Sequence, residues 1–162
     1  MDMHREPDMG SNAKGYVAYI NILADDIVSL SSFYARVFGF DEIEAHRSPI
    51  YRCLDAGPIE LGFNAPQAYD LLALTHRRPT TVAPVRTYLT IEVASPDAVE
   101  SCVAAAIEFG GRMLKAPYQT YYNAIQSVLE DPEGNVFRIN HRMGPRLPAD
   151  EVDSPPWLLT KN

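Results

Sequence analysis

The sequence predicts an α+β fold made of two consecutive copies of one module, each a strand, a helix and three further strands. Two segments show the spacing of apolar residues that is typical of a helix. Segments in which apolar and polar residues alternate, as in a strand, lie before and after each of them. The two helical stretches carry apolar residues at the same five spacings. Tyr19 aligns with Tyr88, and Leu30 with Val99, at one constant offset. We therefore expect an internal duplication, with two βαβββ modules in tandem forming a concave mixed-sheet cup and the helices on the outside.

The first module is expected over residues 16–64. A strand over 16–24 alternates between apolar and polar side chains, and Asp25 and Asp26 then offer a helix N-cap. The following helix ends at Gly39, which suits a left-handed C-cap. Its buried stripe is Leu30, Phe33, Tyr34, Val37 and Phe38. Three strands are expected after it, over 42–47, 51–54 and 59–64.

A connector over residues 65–85 contains three prolines, and its length suits a lid or a crossing segment. A short helix is expected around 68–74. His76, Arg77 and Arg78 are expected in a solvated loop, with an anion-binding lid as the alternative.

The second module is expected over residues 86–141. A strand over 86–93 leads to Ser95 and Pro96, which suit the N-cap and first position of a helix. Its stripe is Val99, Cys102, Val103, Ala106 and Ile107. Three strands follow, over 112–115, 124–129 and 136–141. The last two flank a dense turn, DPEGN, in which Pro, Gly, Asp and Asn all favour tight reversal.

Composition excludes several classes of protein. The net charge is −7, which argues against nucleic-acid binding and would suit a cationic ligand. No apolar run approaches the 18 residues of a membrane span. Two cysteines make no disulfide framework, and a reduced cytoplasmic chain is expected. Residues 1–15 are expected to be a disordered leader, and 142–162 a Pro-rich tail in which Trp157 docks on a groove.

Alternation places one polar face on each module, opposite the helix. If the modules lie side by side, the two faces form one concave surface, a common shape for a ligand site. The polar positions of the strands are Tyr19, Asn21, Glu60, Asn64, Arg86, Tyr88, Thr90, Glu92, Gln126, Arg138 and Asn140. Tyr122 belongs to a tyrosine-rich stretch, YQTYY, that could stack a planar ligand. A merely solvated outer sheet face is the alternative.

The paired modules, the FYARVFGF end of the first helix and the DPEGNVFRI hairpin resemble the vicinal oxygen chelate superfamily, which includes glyoxalase I, bleomycin-resistance proteins and extradiol dioxygenases. The resemblance covers residues 16–141. It implies that metal-dependent members hold their ion on the first and last strands of each module. Those positions are Tyr19 and Glu60, then Tyr88 and Arg138. Of these four residues, only Glu60 is a residue type that binds metal at the corresponding position in those members. Arg stays protonated, and Tyr is a poor ligand for these metals. No metal or other cofactor is therefore expected.

Two functions agree with this resemblance, and a metal lyase with unusual ligands is a third alternative that metal analysis would test. The first is a metal-independent binding protein of the bleomycin-resistance type, which sequesters a drug-like or secondary-metabolite ligand. The alternative is a cofactorless isomerase, cyclase or lyase, with Glu60 as acid or base and Tyr19, Tyr88 and Arg138 stabilising an oxyanion. Asn21, Asn64, Arg86, Thr90, Glu92, Tyr122, Gln126 and Asn140 would line the ligand site in either case.

The predicted partner is a small, planar or aromatic molecule, with no nucleic acid and no membrane. A homodimer is expected, since open sheets with uncovered edges usually find partners. Whether modules pair within a chain or between chains stays open. Cys53 is expected to be a buried thiol, His46 an exposed strand end, and His141 a structural residue on the core side. Glu60 and Arg138 are expected either to bind ligand or to form a structural ion pair.

Overall fold

A computed structural model describes residues 15–145 of the chain. The expected leader before Gly15 and the tail beyond Pro145, with Trp157, lie outside the described residues. No helix in the described range is long and apolar enough to cross a membrane.

The described chain forms two βαβββ modules, as the internal repeat predicts. The first module comprises β1 (Tyr19–Leu23), α1 (Ile27–Phe38), β2 (Asp41–Glu42), β3 (Tyr51–Asp55) and β4 (Glu60–Asn64). The connector contains a short helix, α2 (Gln67–Leu71). The second module comprises β5 (Leu89–Glu92), α3 (Pro96–Glu108), β6 (Arg112–Gln119), β7 (Ala124–Glu130) and β8 (Val136–Arg142).

Each module has a four-stranded mixed sheet with the same topology. The strand orders are β1-β4-β3-β2 and β5-β8-β7-β6. In each sheet the first and last strands of the module pair in parallel, and the other pairs are antiparallel. The predicted α+β fold of tandem βαβββ modules is thereby confirmed, and β1 and β5 each lie at one edge of their sheet.

Several predicted element bounds were wrong. The strand expected over 42–47 ends at Glu42, and Glu44–His46 turns into a 3₁₀ helix. The strand expected from Arg86 begins only at Leu89. β6 is longer than predicted, because its pairing with β7 continues through two register shifts. Local alternation in the sequence does not report where pairing with a neighbouring strand stops, so these ends depend on tertiary contacts.

The helices join the apolar faces of both modules into one core. Tyr34 of α1 is fully buried, and its ring centroid lies 5.6 Å from that of Phe63 and 5.7 Å from that of Phe137. Phe63 belongs to the first sheet and Phe137 to the second. The predicted α3 stripe is buried at Val99, Val103 and Ala106, whereas Ile107 is exposed. The polar faces of the sheets are left on the sides away from this core.

Polar contacts from the DPEGN turn also hold the two modules together. The Tyr34 hydroxyl donates to Asp131 Oδ2 at 2.9 Å, and both residues are buried. The backbone N–H groups of Asp25 and Asp26, just before α1, donate to the Glu133 carboxylate at 2.5 and 3.2 Å. A carboxylate is well placed there, because the free N–H groups of a helix start carry partial positive charge. The second module thus holds the chain in place just before the helix of the first.

Candidate functional site

The polar face of the first module is built by the pairing of β1, β4 and β3. Tyr19 lies opposite Glu60 in the parallel ladder, and the negative Glu60 carboxylate raises the pKa of the Tyr19 phenol above its usual value. Asn64 Nδ2 donates to Asn21 Oδ1 at 3.1 Å. These four predicted site residues therefore share one face, as alternation predicts.

Gly62 leaves room at the centre of this face. A Cβ atom placed on Gly62 would lie 2.6 Å from the Tyr51 hydroxyl and would also clash with the Asn21 side chain. Only a residue without a side chain lets the Tyr51 ring cross β4 here. Tyr51 was not predicted as a site residue, although it shares strand and face with Cys53.

Two further potential metal ligands, Cys53 and His46, converge on Glu60. Cys53 Sγ donates to Glu60 Oε2 at 3.3 Å, and His46 Nδ1 lies 3.6 Å from the same oxygen. Their three ligand atoms all lie within 4.8 Å of one another. Cys53 is fully buried, whereas the Glu60 and His46 side chains are 17% and 43% exposed. The cluster is therefore closed on the protein side and open towards solvent through His46.

The Cys53 thiol is not an activated nucleophile. Burial, with the Glu60 and Asp55 carboxylates adding to it, raises the pKa of Cys53 to about 11. A thiol with such a pKa is almost wholly protonated at neutral pH, and the thiolate is the reactive form. The prediction of a buried, unreactive thiol agrees with this environment.

On the second module, Arg138 is the centre of a polar cluster on β8. Its Nε donates to Thr90 Oγ1 at 2.6 Å, and its Nη1 donates to the Tyr122 hydroxyl at 3.2 Å. The guanidinium carbon lies 5.2 Å from the centroid of the Tyr88 ring, a cation–π distance. All of these partners are neutral. In the described part of the chain, no carboxylate lies within ion-pair distance of Arg138.

Gln126 ties two tyrosines to the Arg138 cluster. The Tyr122 hydroxyl donates to Gln126 Oε1 at 2.5 Å, and Gln126 Nε2 donates to the Tyr118 hydroxyl. Gln126 is buried, so its amide has a fixed orientation between the two phenols. The Lys115 ammonium lies 3.6 Å from the centroid of the Tyr118 ring. Arg138 is therefore bordered by the Tyr88 ring and by Tyr122, whose hydroxyl is held by the buried Gln126 amide.

A third polar group at the end of β8 is internally paired. Asn140 Nδ2 donates to Glu92 Oε2 at 2.5 Å, and the Arg142 backbone N–H donates to Glu92 Oε1 at 2.5 Å. Asn140 Oδ1 is buried without a hydrogen-bond partner among the described residues. These contacts give Glu92 and Asn140 a structural role, whether or not a ligand reaches them. His141 likewise contacts the Val93 carbonyl oxygen through Nδ1, at 2.8 Å, and helps to join β8 to the end of β5.

The predicted site residues fall into two groups. Tyr19, Asn21, Glu60 and Asn64 lie on the first module, and Tyr88, Thr90, Glu92, Tyr122, Gln126, Arg138 and Asn140 lie on the second. Arg86 and Tyr88 precede β5 in an exposed stretch. Within residues 15–145, no hydrogen bond or ion pair joins Glu60 to Arg138. The expected ion pair between them is absent there, because Glu60 faces Cys53 and His46 while Arg138 faces neutral groups.

The comparisons with known proteins agree with this architecture. A family profile described as the Glyoxalase/Bleomycin resistance protein/Dioxygenase superfamily matches residues 16–139. The chain belongs to this superfamily. The match spans both modules and ends within β8, so the superfamily fold accounts for nearly all of the described chain.

Solved structures of the superfamily resemble the chain over most of its length. A glyoxalase/bleomycin resistance protein/dioxygenase family enzyme from Burkholderia phytofirmans PsJN is 47% identical, with a TM-score of 0.74, and the alignment covers 78% of this chain and 98% of that one. A glyoxalase-related enzyme from Fulvimarina pelagi is 20% identical, with a TM-score of 0.68 and coverage of 86% and 97%. At that lower identity the likeness shows the fold alone. No curated protein matches the chain.

The positions that hold a divalent metal in metal-dependent members of the superfamily do not suit one here. They are occupied by Tyr19 and Glu60 in the first module and by Tyr88 and Arg138 in the second. A permanent cation at Arg138 repels a metal ion, and a single carboxylate does not supply the three or four ligands that zinc or nickel requires. These four positions therefore carry a fixed cation on the second module and a carboxylate on the first.

Two features of the site were missed by the sequence interpretation. His46 was expected at an exposed strand end, but the 3₁₀ turn over Glu44–His46 brings its ring to Glu60. Cys53 was expected only to be a buried thiol, and no general base is adjacent to it in the sequence to suggest otherwise. The signal was present in the alternation: Cys53 and Glu60 are polar-face positions on two consecutive strands, and the antiparallel pairing of β3 with β4 brings them together.

Proposed function

We propose that the protein binds a planar small molecule carrying an anionic group, a drug-like compound or secondary metabolite, and sequesters it without the divalent metal of its metal-dependent relatives. The observation that most directly supports this proposal is that the Arg138 guanidinium is half-buried and that its described neighbours are all neutral. A guanidinium removed from water is normally balanced by an anion. A ligand carboxylate, phosphate or enolate would supply that charge.

The neighbours of Arg138 support a planar partner. Tyr88 lies against the guanidinium, and Tyr118 and Tyr122 lie on the other side of the cluster with their hydroxyls held by Gln126. Aromatic walls of this kind favour flat ligands, since stacked rings bury a large area at little entropic cost. The Thr90 hydroxyl holds Arg138 through Nε, which leaves the Nη2 edge of the fork without a described hydrogen bond. We expect the ligand anion at that edge.

The proposal includes a homodimer in which a second copy covers the open polar faces. β1 and β5 are edge strands, and large apolar or aromatic side chains next to them are exposed, namely Val17, Tyr19, Val85 and Tyr88. Exposed edges bearing such residues are typical of surfaces that pair with another chain. Pairing of β1 with β5 of a second copy would extend both sheets and enclose the Arg138 cluster.

The proposed location is the cytoplasm. Both cysteines of the chain are free thiols, and unpaired thiols persist in reducing compartments. The proposed partners include neither nucleic acid nor a membrane, in keeping with a net charge of −7.

A binding experiment with matched probes tests the role of Arg138. Benzoate and 4-hydroxybenzoate would be titrated in the presence of EDTA and followed by NMR chemical shifts, with benzamide as the uncharged analogue. We expect saturable binding of the carboxylates and none of benzamide. Arg138→Ala should weaken carboxylate binding at least about 10-fold, since a charge-assisted pair contributes more than 1.4 kcal/mol. Sedimentation of the same samples would report whether the chain is a dimer.

Arg112→Ala is the control variant. Arg112 lies in the same sheet as Arg138, is 71% exposed, and pairs with Glu130 at 2.6 Å, so its loss removes an arginine without touching the cluster. Equal affinity in the Arg138→Ala and wild-type proteins, with both folded by circular dichroism, would refute the proposal. The same would follow if benzamide bound as tightly as benzoate.

The enzymatic alternative stays a prediction. Glu60 and Tyr19 lie on one module and Tyr88 and Arg138 on the other, with no hydrogen bond or ion pair between the two pairs among the described residues. A cofactorless acid–base reaction using all four would require the two polar faces to meet, as they would in the proposed homodimer. The sedimentation experiment therefore bears on this alternative as well.

A further inference from the structure

The first module carries a second cluster, separate from Arg138, whose side chains are suited to a metal ion. We propose that His46, Cys53 and Glu60 form a zinc site within the first module alone. The site uses none of the other three superfamily metal positions, and it is independent of the ligand proposed for the second module.

The spacing of the ligand atoms suits tetrahedral zinc. Bond lengths of about 2.0–2.3 Å place ligand atoms of one tetrahedron roughly 3.3–3.8 Å apart. Glu60 Oε2 lies 3.3 Å from Cys53 Sγ and 3.6 Å from His46 Nδ1. All three ligand atoms lie within 4.8 Å of one another, so small side-chain rotations suffice to bring them onto one ion.

The identity of the donors selects the metal. A thiolate, an imidazole and a carboxylate are the sulfur, nitrogen and oxygen ligands that zinc accepts together, whereas calcium and magnesium take oxygen ligands almost exclusively. Three protein ligands leave the fourth position of the tetrahedron for water or another small ligand. On binding, the Cys53 thiol gives up its proton to solvent and its sulfur bonds to the ion.

The charge around Glu60 supports a cation. No Lys or Arg side chain within the described range lies within ion-pair distance of Glu60, and its close neighbours are the Cys53 thiol, the His46 ring and the Tyr19 phenol. The Glu60 side chain is only 17% exposed. A mostly covered carboxylate without a fixed positive partner is stabilised when a cation arrives.

The fold holds two of the ligands rigidly. Cys53 and Glu60 lie on β3 and β4, paired strands at the centre of the first sheet. His46 lies on the 3₁₀ turn before β3. The ion pair between Arg47 Nη2 and Glu42 Oε2, at 2.5 Å, stabilises this turn. Two ligands on strands and one on a fastened turn form a largely preorganised site.

Zinc titration of the reduced, full-length protein tests the proposal. After treatment with a chelator and its removal, zinc would be added in competition with a colorimetric zinc indicator. We expect one zinc per chain. Cys53→Ser, His46→Ala and Glu60→Gln should each weaken binding by more than about 100-fold, since changes to groups outside the ligand shell already cost about 10–100-fold.

Cobalt substitution identifies the sulfur ligand directly. A thiolate bound to Co²⁺ gives a charge-transfer band in the near ultraviolet, which we expect in the wild-type protein and not in Cys53→Ser. Cys102→Ser and His76→Ala are the matched controls, since neither residue belongs to the cluster, and both should keep the band and the affinity. Arg138→Ala should also keep them, which separates this proposal from the one on the second module.

Three results would overturn the zinc site. They are the absence of saturable zinc binding in the wild type, unchanged affinity in Cys53→Ser, and loss of the cobalt band in Cys102→Ser. If Cys53→Ser does not fold, His46→Ala provides the same test from the exposed side of the cluster, where a substitution disturbs packing least.

Discussion

Removing one buried hydroxyl should measure how strongly the two modules are coupled. Tyr34→Phe keeps the aromatic ring in the core but deletes the hydrogen bond from the first module to Asp131 of the second. A hydrogen bond to a charged group contributes about 1.5–3 kcal/mol. Asp131 Oδ2 still accepts from Asn135 Nδ2 at 2.9 Å, so we expect the lower half of this range, about 2 kcal/mol.

The loss should depend on pH in a defined direction. Burial raises the pKa of Asp131 above 3.8, while the bond from Tyr34 lowers it again. Deleting the hydroxyl therefore raises the folded-state pKa of Asp131 further above its unfolded value. The charge-dependent part of the cost falls on the ionised carboxylate. It is fully present above the folded-state pKa of Asp131 in the variant and is lost as pH falls through the lower folded-state pKa of the wild type, which itself lies above 3.8. The destabilisation should be larger at pH 7 than at pH 4.

Urea unfolding at both pH values, followed by circular dichroism, gives the free energy of unfolding. At pH 7 the midpoint should fall with an unchanged m-value, and the melting temperature should fall by about 4–8 °C, as expected for a chain of 162 residues. Tyr69→Phe is the control, because the Tyr69 hydroxyl makes no hydrogen bond to a described residue; its ring faces Arg78. A loss below about 0.5 kcal/mol in Tyr34→Phe, or one equal at both pH values, would refute the coupling argument.

Two further predictions concern the first module. Gly62→Ala should destabilise the protein by about 1–3 kcal/mol, because the new methyl group would overlap Tyr51. Gly144→Ala is the control and should not destabilise it, because Gly144 lies in open space. Thermal unfolding of the two variants gives the comparison. Asp26→Ala should lower the melting temperature at pH 7 by removing the N-cap of α1. Hydrogen bonds from Ser29 hold the pKa of Asp26 below 3.8, so the difference from wild type should close as pH falls through that lower pKa. A constant difference down to pH 2 would contradict the capping role.

The fold was largely predictable because its signals are local and repeated. Helical spacing identified α1 and α3, a left-handed glycine ends α1 as predicted, with φ of 71° at Gly39, and the shared offset revealed the duplication. The short β2 and the late start of β5 were not predictable in this way. Their ends depend on which backbone groups find partners in neighbouring strands, and no local pattern records that.

The candidate site was predictable only as far as alternation reaches. Alternation placed Tyr19 with Glu60, and Thr90 with Arg138, on polar faces, and the parallel pairs β1–β4 and β5–β8 bring each couple together. It did not reveal that His46 turns back onto Glu60, because the 3₁₀ turn breaks the alternation. The packing of the two modules, and hence the separation of Glu60 from Arg138, likewise depends on contacts far apart in the chain.

The two helices have also diverged into complementary shapes since the duplication. Phe33, Tyr34 and Val37 of α1 correspond to Cys102, Val103 and Ala106 of α3, so each larger side chain has a smaller counterpart. The two surfaces meet in the core, where Cys102 Sγ lies 3.6 Å from the Val37 carbonyl oxygen. Two α1 helices would overfill this space, and two α3 helices would leave it hollow. The interface between the modules therefore accommodates one α1 helix and one α3 helix. An isolated first module should not form a dimer through its α1 helix.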